Sequence, residues 1–203
     1  MLADLNNNFQ NMPASILPPE FYNRSTLVTA RELLGMHIVR ILEGVRLSGI
    51  ITETEAYIGE QDQGCHAKSG YTPRTAVMYG PPGHAYVYFT YGMHWMLNVV
   101  TEEEGFPAAV LLRGIQPKDG LEIISANRQG RDTDGPAKLT QALAINREFN
   151  NCDLCSAASG LWIEKADPVQ DECVTIGPRV GLYTVPEPWK SKPWRFRMTG
   201  SLL

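Results

Sequence analysis

Ile51-Thr-Glu-Thr-Glu-Ala-Tyr57, continuing Ile58-Gly-Glu-Gln-Asp-Gln-Gly-Cys-His66, is the stretch around which the chain is ordered. Read as a β-strand, its side chains alternate, which predicts Ile51, Glu53, Glu55 and Tyr57 on one face and Ile50, Thr52, Thr54 and Ala56 on the other. Gly59 and Gly64 then break the strand into a loop that returns at Cys65-His66, within reach of Glu55 or Tyr57. A base, an aromatic platform and an imidazole can converge there. An edge strand with a solvated polar face accounts for the same residues without any chemistry.

Working outward, Met36 to Ile41 reads as a strand joined to Leu47 to Tyr57 through Glu43-Gly44, an antiparallel pair. Before it, Leu27, Ala30, Leu33 and Leu34 have helical spacing that stops at Gly35. After it, residues 59–83 form a long loop broken by a helical turn near Thr75 to Tyr79, and loops of that length in a compact domain are usually functional. His84 to Val100 reads as strand, turn, strand, with Tyr91-Gly92-Met93 at the tip and Tyr86 and Tyr88 on one face. A tyrosine and a methionine at such a tip either pack back on neighbouring loops or serve as wedges between stacked bases. Asn98, the one strongly polar side chain in Trp95 to Val100, must be paired if buried, as a core amide or as a specificity contact.

Ala108 to Leu112 is a continuous apolar run, predicted to be a central strand ending at Arg113, for which Glu55 is a candidate partner. Leu121 to Asn127 and Lys138 to Ile145 have helical spacing. Leu161 to Glu164, Val174 to Ile176 and Trp194 to Met198 read as short strands. Together these elements predict a single α+β domain, an antiparallel-rich curved sheet flanked by helices with a protruding β-hairpin.

The chain has 203 residues, 43% hydrophobic and 20% charged, which suits one globular domain with one core. Residues 1–17, Asn-rich and without apolar periodicity, are expected to be a flexible tail ahead of a domain over 18–203. No apolar run approaches the ~20 residues that span a bilayer, and the N-terminus lacks the pattern of a secretory signal. No membrane partner is expected, and the location is cytoplasmic, nucleoid or nuclear rather than secreted. Four irregularly spaced cysteines fit reduced thiols better than a disulfide framework.

The net charge of −4 hides an asymmetry. Residues 1–112 carry 6 Lys/Arg and 11 Asp/Glu, whereas residues 113–203 carry 12 and 11. The clearest basic stretch holds Arg179, Lys190, Lys192, Arg195 and Arg197, interrupted by Glu187. Such a face can meet phosphate, or it can be a solvated rim.

Taken in order, Thr52-Glu-Thr-Glu-Ala-Tyr57 with His66, Tyr86-Val-Tyr88, Tyr91-Gly-Met93, Asn98, Val110-Leu-Leu-Arg113, Gly135-Pro-Ala-Lys-Leu-Thr-Gln-Ala-Leu143 and Arg179-Val-Gly181 resemble the alkyladenine (3-methyladenine) DNA glycosylase family. The likeness runs from about Pro18 onward. It implies a monomeric, monofunctional enzyme without metal or other cofactor that hydrolyses the N-glycosidic bond of damaged purines, such as 3-methyladenine, 7-methylguanine or hypoxanthine, in double-stranded DNA. By that resemblance Glu55 is the general base, and Arg113 and the Val180 main-chain carbonyl help to hold the water. Tyr57, His66 and Tyr88 enclose the flipped base, Gly64 offers a main-chain contact and Asn98 screens out normal guanine. Tyr91 fills the gap in the duplex. Independently of the resemblance, the hairpin tip makes Met93 the next candidate wedge, and the basic C-terminal stretch makes Lys190 and Arg195 candidate phosphate contacts. Gly64 and His94 depart from the alanine and tyrosine of mammalian members.

The residue types suit those roles. A base inside a duplex must be extruded to be reached, and aromatic faces stack it. Alkylated purines are often cationic, so π-faces attract them and the charged base leaves readily once one carboxylate activates water. Four rivals remain. Glu53 and Glu55, ~7 Å apart along a strand, match the carboxylate pair of an inverting sugar hydrolase. His66 with Cys152-x-x-Cys155 is an incomplete metal set. Cys65 with its neighbour His66 is a poorly oriented nucleophile pair. A single-strand nucleic-acid binder would use the aromatics and have no need of Glu55.

Overall fold

The computed structural model describes residues 16–199, a single α+β domain. Of the predicted tail, residues 1–15 lie outside the described residues. Ile16 and Leu17 do not behave as tail: Ile16 bridges to Glu164, and the Leu17 N–H donates to the Ile163 carbonyl at 2.9 Å. Among the described residues no helix is long and apolar enough to cross a membrane.

The helices are α1 (Pro19–Tyr22), α2 (Thr26–Glu32), α3 (Leu121–Arg128) and α4 (Pro136–Ala142). The strands are β1 (His37–Leu42), β2 (Val45–Ile58), β3 (Ala85–Thr90), β4 (His94–Val100), β5 (Ala108–Asp119), β6 (Leu161–Glu164), β7 (Val174–Gly177) and β8 (Arg195–Met198). All pairings are antiparallel, in the order β3-β4-β5-β2-β1-β6, with β8 beside the second half of β2 and β7 beside β8. The Glu43-Gly44 turn has positive φ at both residues, 51° and 80°, the geometry whose twist matches a two-residue hairpin.

Strict alternation along β3, β4 and the first half of β5 separates two apolar clusters. Val87, Leu97, Val99, Val110 and Leu112 join α2 and α4 in the main core. Tyr86, Val100 and Ala109 point the other way, into a smaller cluster with Cys65, Ala67 and Met78 from the 59–83 loop. That loop is held by two 3-10 turns, His66–Ser69 and Ala76–Tyr79. On the core side Thr54 Oγ1 donates to the Ala30 carbonyl of α2 at 2.7 Å, tying the helix beneath β2.

Three expectations need correction. Ile51 does not share a face with Glu53, Glu55 and Tyr57; it packs in the main core together with Ala56. The reason is a pair of register shifts, at Ile51/Glu53 and Glu53/Thr54, which leave Thr52 on β2 and Arg113 on β5 as extra residues and invert the alternation in both strands. Gly114 makes this close crossing passable, since a Cβ there would stand 2.9 Å from Thr52 Oγ1. Arg113 is therefore the bulge of β5, which runs on to Asp119, and not its end. The helix expected over Lys138 to Ile145 is α4, beginning at Pro136 and ending at Ala142.

Candidate active site

Residues directly opposed in an antiparallel sheet point to the same face. Glu55 opposes Leu111, Leu111 opposes Asn98, and Asn98 opposes Tyr86. One row across four strands thus carries a carboxylate, an apolar spacer, an amide and a phenol. With Asn98 of this row, Tyr57, Gly64, His66, Tyr88, Arg113 and Val180 come together around a cavity of about 330 Å³, at the small end of ligand pockets. Cys65 is in its wall as a thiol pushed up to about 12 by burial, which makes it inert at neutral pH.

Glu55 is fully buried behind this wall, and every group that holds it also lines the cavity. The Val180 N–H donates to its Oε1 at 2.6 Å, the Tyr57 hydroxyl to Oε2 at 2.8 Å, and Arg113 Nη1 to Oε2 at 3.3 Å. Burial pushes the Glu55 carboxyl above its ordinary value, opposed by the Arg113 charge and then by the two hydrogen bonds. Burial, reinforced by Glu55, also raises Tyr57 well above a normal phenol, so Tyr57 keeps the proton it donates. A carboxylate offers about four lone-pair sites. Three are taken by these donors, which leaves one open.

The Glu53 carboxylate serves differently. It accepts from Arg113 Nε at 2.7 Å and lies 3.6 Å from Arg195 Nη1. Glu53 and Glu55 thus grip one guanidinium between them. A sugar hydrolase needs its carboxylates on either side of a substrate, so this geometry does not support that rival.

His66 meets Tyr88 edge to face at 4.5 Å, and its Nδ1 lies 3.0 Å from the Tyr86 hydroxyl. Burial, with help from the Arg74 and Lys68 charges, lowers His66 to about 4, so the imidazole is neutral at pH 7 and does not repel a cation. Asn98 Nδ2 donates to the Tyr86 carbonyl at 2.9 Å. That bond fixes which way round the amide lies and leaves one N–H and the carbonyl oxygen for the cavity. Gly64 lines the wall, but its N–H is engaged with Asp62 Oδ1 at 2.9 Å. At Val180 the amide is engaged as well, a contact that the resemblance did not supply.

The β3–β4 tip protrudes as predicted. Tyr91 is 83% exposed and Met93 67% exposed. Tyr91 and Gly92 have φ of 52° and 68°, the left-handed turn that glycine and asparagine accept easily and a tyrosine does not. An exposed aromatic ring held at a conformational cost beside the cavity mouth packs no core. His94, next to this tip, is also exposed.

The basic C-terminal stretch proves only partly free. Arg179 is buried against Asp62, Arg195 faces Glu53, and Arg197 binds Asp134 at 2.9 Å. Lys192 stacks over Trp189 and Trp194, at 4.0 and 4.2 Å from their ring centres. Lys190 is exposed. Neither Asp62 nor Arg74, which reaches within 5.2 Å of the Tyr88 ring, stood out in the sequence. Asp62 sits among polar loop residues, and nothing in its spacing marks it as buried.

The model of one family, methylpurine-DNA glycosylase, matches residues 20–202. The chain belongs to that family. It is 46% identical over 186 residues to a protein of Methanocella arvoryzae, covering 89% of this chain and 91% of that one. It is 45% identical over 185 residues to a protein of Carboxydothermus hydrogenoformans, covering 89% and 94%. With a Myxococcus xanthus protein it shares 47% over 179 residues, 88% of each chain. All three relatives bear the name "Putative 3-methyladenine DNA glycosylase". As a member of the methylpurine-DNA glycosylase family the chain is an enzyme of DNA repair.

Proposed function

We propose that this chain extrudes alkylated or deaminated purines, 3-methyladenine, 7-methylguanine and hypoxanthine among them, from double-stranded DNA and hydrolyses their N-glycosidic bond, leaving an abasic site. The observation that carries the reading is a fully buried Glu55 whose three hydrogen-bond donors all line an aromatic cavity. Tyr57, His66 and Tyr88 stack the base, Asn98 tests its edge, and Glu55 takes the proton of the attacking water, with Arg113 and the main chain at Val180 holding the pair in place. Hydroxyl, imidazole, amide and guanidinium groups line the cavity. Simple hydrolysis needs only a water activated by one carboxylate. We take the monomer as the working unit. Residues 18–203 are then the glycosylase domain.

The test is incubation with duplexes carrying one 7-methylguanine or one hypoxanthine, followed by alkali. Cleavage at the lesion and none in the undamaged control is the expected result; intact lesion duplexes overturn the reading.

Two further outcomes follow from the electrostatics. Because Glu55 must be ionised to act and its carboxyl is raised, base release should fall with acidity along a single limb that begins above the ordinary glutamate range. His66→Gln should keep that limb, since His66 is already neutral there; a limb that vanishes with His66 assigns the titration wrongly. Duplex affinity should fall steeply with salt, and Lys190→Ala should reduce the log–log slope by about one. Arg195→Ala should change the slope little, because Glu53 faces that charge. Equal flattening by both variants would return Arg195 to the phosphate contacts.

A further inference from the structure

Behind Tyr57 lies a charge pair that the hydrolysis itself does not use. The side chains of Arg179 and Asp62 are both completely buried. The guanidinium forks onto both carboxylate oxygens, Nη1 to Oδ2 at 2.5 Å and Nη2 to Oδ1 at 2.7 Å. Arg179 also donates to the carbonyls of Ala56 and Trp189, at 3.0 and 3.3 Å. Its Cζ stands 4.6 Å from the centre of the Tyr57 ring and 5.0 Å from that of Trp194. Tyr57 lines the cavity and Arg179 does not, so the guanidinium covers the ring face turned away from the substrate.

A cation on one face of an aromatic ring draws on the same electron density that would attract a cation on the other. An unopposed arginine behind Tyr57 would therefore favour neutral bases over charged ones. Asp62 supplies the opposing charge, and the Gly64 and Ile58 N–H groups hold its carboxylate at 2.9 and 3.3 Å. We infer that the Asp62–Arg179 pair determines specificity, Arg179 pinning Tyr57 as a rigid stacking wall and Asp62 cancelling its charge so that cationic purines keep their advantage in the cavity. The inference rests on the glycosylase reading. Arg179 and Asp62 are positioning residues, since neither touches the base.

The readout is the ratio of single-turnover release of 7-methylguanine, a cation, to that of hypoxanthine, which is neutral. Asp62→Asn leaves the guanidinium unopposed and should lower the ratio about tenfold. Arg179→Met covers the ring with an uncharged side chain and leaves the carboxylate, which should raise the ratio. Asp62→Asn with Arg179→Met should restore it to within about twofold of wild type even where both rates fall. The double variant removes both buried charges, so it remains readable if a single variant fails to fold. Lesion binding measured in a Glu55→Gln background gives the same ratio without chemistry. Opposite shifts in the two single variants support the inference. Equal losses on both lesions, or a shifted ratio in the double variant, reduce the pair to a structural tie and overturn it. Wild-type release of neither base defeats the glycosylase reading instead.

Discussion

Glu55→Gln should lower single-turnover base release by about 100-fold or more, the usual size of a general-base contribution, while leaving lesion binding intact. The variant keeps an acceptor for the Val180 N–H, and Arg113 keeps Glu53, so no buried cation is orphaned. Stability should not fall at pH 7. The folded-state pKa of Glu55 is raised, so the folded protein binds its proton more tightly than the unfolded chain does. Its contribution favours folding below the unfolded pKa and is lost as pH rises through the folded one. At neutral pH the ionised, buried carboxylate therefore opposes folding, and its neutral amide should melt at the same temperature or higher. Glu53→Gln is the control. It sits on the same guanidinium but is held by Arg113 and Arg195, not by the Tyr57 hydroxyl and the Val180 N–H that line the cavity, so its effect on release should be far smaller. Equal losses in the two variants would revive a two-carboxylate mechanism.

The hairpin tip gives the second large effect. Tyr91 is almost fully exposed and its backbone lies in the left-handed region, so it contributes nothing to the core and costs the hairpin some stability. On the proposed reading its ring gains contacts only when a nucleotide leaves the stack. Tyr91→Asn should leave the melting temperature unchanged or slightly raised, since asparagine accepts that φ readily. The same variant should weaken the base-flipped complex by about 1 to 3 kcal/mol, the worth of one stacking contact. A fluorescent base analogue beside the lesion reports the flipping. The loss should shrink on mispaired lesions, which cost less to extrude. A destabilised variant with normal flipping would make Tyr91 a packing residue and shift the wedge to Met93.

Much of this site is legible in the order of residues because its parts lie on regular elements. The period-two pattern places Glu55 with Tyr57 and Tyr86 with Tyr88, and the glycine at position 92 marks the hairpin tip. What escapes is whatever depends on pairing between distant strands. Ile51 reads as a neighbour of Glu53 because alternation assumes an unbroken ladder, and the two extra residues, Thr52 and Arg113, become apparent only against each other. Arg179 and Arg195 read as surface cations because charge alone says nothing of a partner 117 residues away or on the adjoining strand. The same bulge that defeats the sequence pattern is what turns Arg113 onto both glutamates.

The most direct test of the account is mass spectrometry of the products of one turnover on a duplex bearing a single 7-methylguanine, with wild-type protein and with Glu55→Gln. Hydrolysis by a Glu55-activated water predicts free 7-methylguanine and an uncut strand carrying one abasic site from the wild type, and almost no free base from the variant in the same time. A strand already cut without alkali, a protein–DNA adduct trapped by borohydride, or undiminished release by Glu55→Gln would contradict it.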